Sequence, residues 1–461
     1  MSGDNDTELN RACGILEVED SRVSKMDADL VPPTPDPDAE RRLVRKLDRT
    51  ILPWIMLLYL LSYLDRANMG NAQNIGLATD IGLGSTMYQV ASASFYIGTV
   101  IFGTVGGLML KVFKPSTWLG LCAIGWGATS TLQAACTNSG GLIAVRFFLG
   151  AFEASFAPGC ALYLSFWYLK SELSLRIAAY AGMSAVSGVL SGLIAYGVGL
   201  AQGKMALTAW QTLFIVEGLP TVVVGVLTLW ILPGRPESER SYLFTEAEHD
   251  IILSRLNRFT KNADTGINME QVKNAFKDYR LYLFCLIYSG LSLSLAVAAV
   301  FLPTIVEDLG YHSVTANHMT APVYGTAYAC LLITATFSDR FRIRGVPIAL
   351  GGLISGIGYL LLGLLRQGSA RYACCFLAVT GTYMAFPIVL TWITSTFAGD
   401  TKAGVVSSAL ALATTVSAIA MSILLYRENQ KRDRRYGKPE ARAPVDMGGD
   451  ADKAQDYRYD I

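Results

Sequence analysis

Eleven stretches of this chain are apolar and close to the roughly 20 residues that a helix needs to cross a hydrocarbon layer. They lie near 51–72, 88–110, 117–135, 141–167, 178–200, 209–232, 281–305, 320–337, 346–365, 372–397 and 403–426. Backbone in lipid must satisfy its own hydrogen bonds, and runs of this length do so as helices. The expected fold class is therefore an all-α polytopic membrane protein. The composition agrees, with 52% hydrophobic residues and only 16% charged ones in 461 residues, too apolar for an ordinary soluble multidomain chain.

Polar breaks divide the chain. Residues 1–50 read as a disordered cytoplasmic tail, acidic and proline-bearing at first (Val31-Pro32-Pro33-Thr34-Pro35-Asp36-Pro37) and basic at its juxtamembrane end. Residues 51–232 make an N-terminal bundle of six helices, and 233–280 a cytoplasmic central loop with an amphipathic stretch from Thr245 to Leu256. Residues 281–426 make a C-terminal bundle of five spans, and 427–461 a charged C-terminal tail. No cleavable signal precedes the first span. Asn5-Asp6-Thr7 is a glycosylation sequon, expected to stay unmodified on a cytoplasmic tail.

Short cytoplasmic loops retain Lys and Arg. Arg41, Arg42, Arg45, Lys46 and Arg49 place the N-terminus inside, and Lys111, Lys114, Lys170, Arg176, Arg340, Arg342 and Arg344 then also fall inside. Loops 73–87, 136–140 and 306–319 contain neither residue type, whereas Lys204, Arg366 and Arg371 are exceptions. The odd number of spans puts Arg427, Lys431, Arg432, Arg434, Arg435 and Lys438 outside, against the same rule. Residues 403–426 are too few for two crossings at 1.5 Å per residue. Either the last helix breaks the charge rule or one expected helix is lacking.

Charge inside the apolar runs is costly and marks function by default. Asp65 and Arg66 sit late in the first run. Arg146 and Glu153 share the fourth run, seven residues apart and so on one helical face, and Glu217 lies in the sixth. Structural ion pairs that fix helix register are one reading. The other is a proton and anion site, in which an arginine, always charged, holds either a deprotonated acid or an anion. Glu217, near an outer helix end, fits a structural or a coupling role.

Other chemistries find little support. Net charge is +1 (38 basic, 37 acidic), which gives no field for nucleic acid. Eight scattered Cys lack the spacing of a zinc site or disulfide framework and read as packing residues. Three His (249, 312 and 318) form no metal triad, with 312 and 318 expected in an outer loop, and no nucleophile or phosphate-binding motif appears. No catalytic residue, metal or cofactor is expected. Pairs such as Gly103/Gly107, Gly188/Gly192 and Gly352/Gly356 have the spacing of close helix contacts.

These residues carry a resemblance. Six spans, a polar loop and further spans resemble the major facilitator superfamily, as does Arg146-x-x-x-Gly150; Ser338-Asp339-Arg340-Phe341-Arg342-Ile343-Arg344-Gly345 looks like its conformational loop, which makes Asp339 and Arg340 candidates for that role. Tyr63-Leu64-Asp65-Arg66-Ala67-Asn68-Met69-Gly70 is similar to the first-helix signature of the anion:cation symporters, especially the fungal allantoate, nicotinate and pantothenate permease branch. Arg146 to Gly159, Trp210 to Pro220 and Phe244 to Glu248 also match, so the resemblance runs from about Arg41 to Tyr459. Departures are Phe102-Gly103-Thr104-Val105-Gly106-Gly107 in the second helix, Thr396 in place of an expected Asn, and some forty residues lacking near the eleventh and twelfth helices.

The resemblance implies a two-bundle fold, with twelve spans in the family against six plus five here, and proton-coupled movement of a small carboxylate driven by the proton gradient. Asp65 and Glu153 would handle protons, Arg66 and Asn68 would bind substrate, and Arg146 would pair with the acids. A metabolite exporter of the same fold, or a non-transporting sensor or defective relative, is the alternative. The expected partners are the organic anion, protons and the bilayer, for a monomer in the plasma membrane.

Overall fold

The computed structural model describes residues 37–396 apart from 155, 202–205, 237–241, 260–272, 275, 309–312, 342 and 366. The expected eleventh span, the charged C-terminal tail 427–461, residues 1–36 with Cys13, and His312 lie outside the described residues.

The first described element corrects the disordered reading of residues 1–50 for its last fourteen residues. Helix α1 (Pro37–Thr50) begins with Asp38 and Glu40 and ends with Arg49, charges that complement the helix dipole. Leu43 and Leu47 lie one turn apart, and Ile51 follows after another turn; all three are buried. The amphipathic stripe, masked in sequence by so many charges, is what makes the segment helical.

The ten described apolar runs all become helices: α2 (Leu52–Asn74), α4 (Ser85–Val112), α5 (Pro115–Leu132), α6 (Ser139–Glu153) with α7 (Phe156–Ser165), α8 (Lys170–Leu200), α9 (Ala209–Ile231), α11 (Tyr279–Asp308), α12 (Ser313–Phe341), α13 (Gly345–Leu364) and α14 (Gly368–Thr396). Short α3 (Leu77–Ile81) and the linker helix α10 (Glu246–Phe259) complete the order. Their ends follow local chemistry. Proline opens α2 and α5, where its missing N–H costs nothing; Asn138 Oδ1 accepts from Gly141 N at 2.7 Å at the start of α6; and Thr245 and Glu248 bond each other's backbone N–H before α10. Gly76 (φ 106°) and Gly82 (φ 67°) turn the chain on either side of α3.

The fourth run is not one helix. It breaks after Glu153, and Pro158 in the first turn of α7 explains the break, since a residue without an N–H cannot continue the ladder back to Ala154. His318, expected in a loop, lies in α12, which starts earlier than the apolar run does.

Helix pairing is set by glycine. A Cβ on Gly150 would lie 1.9 Å from Phe95 O, and one on Gly98 2.1 Å from Phe147 O, so α4 and α6 touch backbone to backbone. Gly127, Gly218 and Gly225 join α5 to α9 in the same way. Gly188 and Gly192 do form a close contact, against Tyr324 and Asn317 of α12. Gly352 and Gly356 do not, because they face open space; Gly351 and Gly358, offset around α13, make the contact with α14.

Three buried cores result among the described residues: a smaller one around Met69, Trp210 and Phe214, and two larger ones, around Trp126, Phe156, Tyr163 and Trp167 and around Tyr324, Tyr383 and Phe386. The two larger cores meet where α8 packs along α12 and α14, and α2 along α11. Among the described residues, six segments (Pro37–Asn74, Leu175–Leu200, Ala209–Ile231, Tyr279–Ala299, Gly345–Leu364 and Gly368–Ile393) are long and apolar enough to cross a membrane by length and composition. Their outward faces carry exposed Leu286, Leu364 and Trp230, as lipid-facing surfaces do. The described cysteines are all free; five are buried and two half-buried.

Candidate functional site

On α2, Asp65 and Arg66 point about 100° apart, and this divides one charged pair between two environments. Asp65 is fully buried toward α5 and α9, where Ser130 Oγ donates to Oδ1 at 2.5 Å and Thr221 Oγ1 lies 3.5 Å from Oδ2. The second contact is weak by its length. Arg66 turns toward α4 and α6, and its Nε donates to Glu153 Oε1 at 2.5 Å. Ser62, one turn back on the same face of α2, donates to that oxygen as well. Glu153 Oε2 has no hydrogen-bond partner. The Arg66 guanidinium also lies over the rings of Tyr63 (4.5 Å) and Phe95 (5.4 Å), a cation–π arrangement that holds the charge while leaving one side of it open.

Arg146, 2% exposed, has Nε and Nη2 buried with no hydrogen-bond partner. It shares a narrow cleft with Arg66, lined further by Ser92, Phe95 and Tyr96 of α4 and by Ala299 of α11. The cleft thus lies among α2, α4, α6 and α11 and carries two guanidiniums. Buried N–H donors of a cation without acceptors are costly, and the nearby charges of Asp65 and Glu153 act on Arg146 without hydrogen-bonding it.

The sequence candidates are therefore distributed unevenly. Arg66, Arg146 and Glu153 converge, and the hydrogen-bonded partner of the acid is Arg66 where Arg146 was expected. Asn68 lies on the same side of α2 as Asp65 and beside Glu217, with both amide atoms buried and unpartnered; it does not line the cleft. Glu217 is buried on α9 with neither oxygen hydrogen-bonded. Asp339 interacts with Arg344, whose guanidinium donates to Thr391 O at 2.9 Å and so ties the loop to α14, while Arg340 is exposed. Half-burial lowers the proton affinity of Arg344, and Asp339 opposes that. Ser62, Ser130, Thr221 and Phe95 were missed. Only Ser62 carried a readable signal, four residues before Arg66 on the same helix face.

A second charge network lies at the end of the bundle that carries α1 and α10. Arg176 grips Asp48 with two bonds (2.6 and 2.7 Å), Arg255 Nη2 meets Glu172 at 2.6 Å and its Nε lies 3.6 Å from Glu40, and Lys46 reaches Glu248 at 2.7 Å. Partial burial raises the proton affinity of Glu248, but its bonds from Lys46 and Thr245 outweigh that and hold it below the usual carboxylate range. Burial, followed by the nearby Asp48 charge, pushes the Tyr168 phenol well up.

Residues 55–424 match the model of the Major Facilitator Superfamily. The chain is 32% identical over 414 residues to an uncharacterized transporter of Schizosaccharomyces pombe, covering 89% of this chain and 80% of that one. It is also 32% identical to the high-affinity nicotinic acid transporter of Saccharomyces cerevisiae, over 74% of this chain and 66% of that one. Its fold is similar to that of the proton:xylose symporter XylE bound to 6-bromo-6-deoxy-D-glucose, with a TM-score of 0.64, 14% identity and coverage of 83% and 90%. The chain belongs to the Major Facilitator Superfamily and is an integral, multi-pass membrane transporter.

Proposed function

We propose that this member of the Major Facilitator Superfamily couples protons to the movement of a small organic carboxylate by alternating access of two bundles, residues 51–232 and 281–426, around the cleft at Arg66 and Arg146. The observation that carries the reading is that Glu153 occupies one arginine of the cleft while the other keeps unpaired donors. With Glu153 ionised, the charge of Arg66 is matched and Arg146 alone faces the cleft. When Glu153 takes a proton, the ion pair is lost, and Arg66 becomes a second donor for a carboxylate. Anion and proton then enter together, because each favours the other's bound state. Asp65, held by Ser130 close to Arg146, is the second proton site. Arg340 and Asp339 belong to the loop that rearranges as the bundles rock.

The distribution of Lys and Arg supports a cytoplasmic N-terminus, in the plasma membrane. One chain supplies both walls of the cleft, which fits a monomer. The proton gradient serves as driving force and no cofactor is invoked.

The reading is tested with purified protein in vesicles under an imposed pH gradient, against a panel of labelled monocarboxylates beginning with nicotinate, the ligand named for the yeast relative. Uptake that follows the gradient, and is lost in Arg66→Ala with the protein still folded, is the expected result. Gradient-independent uptake, or full uptake by Arg66→Ala, overturns it.

A further inference from the structure

Away from the cleft, on the side of α2 that carries Asp65, lies a third buried carboxyl for which the transport reading has no use. Glu217 is 1% exposed and neither of its oxygens has a hydrogen-bonding partner. It faces α2, where Asp65 and Asn68, three residues apart, share one side. Thr221, one turn on from Glu217, spans the two helices: its hydroxyl lies 3.0 Å from Glu217 O and 3.5 Å from Asp65 Oδ2. Asn68 is fully buried with its amide oxygen and nitrogen unpartnered, and Gln133, equally buried beside α9, has an unpartnered Oε1.

The charges facing this pocket are few. From α2 the titratable group is Asp65; α5 and the turn after it present Ser130 and Gln133, which are neutral; and among the described residues no cation reaches Glu217 from α5 or α8. From α6 both Glu153 and Arg146 act on Asp65, the acid more strongly than the arginine and in the opposite sense. Two carboxyls so placed, with Arg146 acting on Asp65 and no described cation acting on Glu217, cannot both be ionised cheaply, since a bare buried carboxylate costs far more than a neutral one. A like charge near a buried carboxyl disfavours ionisation of both, even where the two are not in direct contact.

We infer that Asp65 and Glu217 form one coupled proton-binding unit, in which only one of the two is ionised at a time, so that Glu217 sets the pH range over which Asp65 gives up its proton. The step is proton binding alone: an O–H bond breaks at one carboxyl, and the proton leaves to solvent or is taken by the other. Asn68 then serves this unit by solvating whichever oxygen is charged. The inference deepens the proton-coupling reading and rests on it for its meaning in transport, but its test needs no substrate.

Infrared difference spectra of the full chain in lipid vesicles, recorded across a pH titration, report protonated carboxyls directly. Isotope labelling of aspartate or of glutamate separates the two kinds. Coupled groups titrate in macroscopic steps that belong to the pair, so in the wild type Asp and Glu bands change together at both steps. In Glu217→Gln the upper step disappears and Asp65 titrates in a single step at least about one pH unit below it. Asp65→Asn does the same for Glu217, and the contribution of Glu153 stays in both variants. If each variant deletes its own step and leaves the other unmoved, or if the labelled wild type shows Asp and Glu bands changing at separate pH values, the coupling is wrong. The labelled wild type decides the matter even where a variant fails to fold.

Discussion

Arg66 Nε and Ser62 Oγ both donate to a single oxygen of Glu153, which leaves the other carboxylate oxygen unbonded. A buried carboxylate ordinarily gathers donors on both oxygens, so the arrangement is lopsided. All of the stabilisation of the charged acid passes through one atom. Anything that draws Arg66 away, such as a substrate carboxylate in the cleft, removes the charged donor and leaves only a hydroxyl. On the proposed reading, departure of Arg66 therefore favours protonation of Glu153, with the charge of Arg146 the remaining opposition.

Glu153→Gln fixes the protonated state while keeping the size of the side chain and an acceptor for Ser62. Counterflow of whichever carboxylate the wild type transports in vesicles, which moves no net charge through the proton site, should persist in this variant. Its net uptake should lose most of its dependence on external pH. A variant whose uptake still rises as steeply with acidity as the wild type would remove Glu153 from the coupling step.

Arg146→Lys keeps a positive charge but replaces a fork of donors by a point charge. A charge-assisted hydrogen bond is worth about 1.5–3 kcal/mol, so the apparent KM for a transported carboxylate should rise roughly 10- to 100-fold with kcat little changed. Equal losses in KM and kcat would instead mean that Arg146 only supports the fold. Full affinity in the variant would show that Arg66 alone holds the anion.

Much of this was legible in the sequence because membrane helices announce themselves by length and because charge in lipid is rare. The ten described runs and the grouping of Arg66, Arg146 and Glu153 follow from those two facts. What stayed hidden depends on azimuth. Asp65 and Arg66 are neighbours in sequence, yet one faces α5 and α9 and the other faces the cleft, and only packing fixes which. Asn68 goes with Asp65 for the same reason. Glycine spacing was read correctly at Gly188/Gly192 and on the wrong face of α13, since small residues there occur at 351, 352, 355, 356 and 358 and spacing cannot choose among them. The amphipathic α1 was obscured by charged residues that interrupt the apolar signal but leave Leu43 and Leu47 on one stripe.

The close contact of α4 with α6 yields a sharp contrast. Gly150→Ala forces a methyl into Phe95 O and Gly98→Ala into Phe147 O, where backbone must move. Overpacking costs typically 1–3 kcal/mol, and these contacts between main chains belong at the upper end. Thermal unfolding in detergent should fall by several degrees or more, and because α6 carries Arg146 and Glu153, transport should fall with it. Gly352→Ala and Gly356→Ala, which meet no atom within 4 Å, should leave both unchanged. A fall of similar size for Gly356→Ala would mean that this face of α13 is covered in the membrane.

Lys46 and Glu248 join α1 to the linker helix α10 at 2.7 Å, and this link should respond to acid in a defined direction. Glu248 binds its proton more weakly when docked than an ordinary glutamate does, so docking is favoured whenever the carboxylate is charged in both states. That contribution is fully present above the ordinary glutamate value of about 4.3. It is lost as pH falls below that value and through the lower one of the docked state, where protonation removes the charged acceptor from Lys46. Both side chains are partly solvated, so the contribution is small, on the order of 0.2–1 kcal/mol as for other exposed pairs. Amide hydrogen exchange across Glu246–Phe259, corrected for its intrinsic pH dependence, should show protection declining only in that acid window. Glu248→Gln should lower protection at neutral pH to nearly the acid level and abolish the pH step. Protection in this variant equal to the wild type at neutral pH would mean that Arg255, through Glu172 and Glu40, holds the linker helix without help from Lys46.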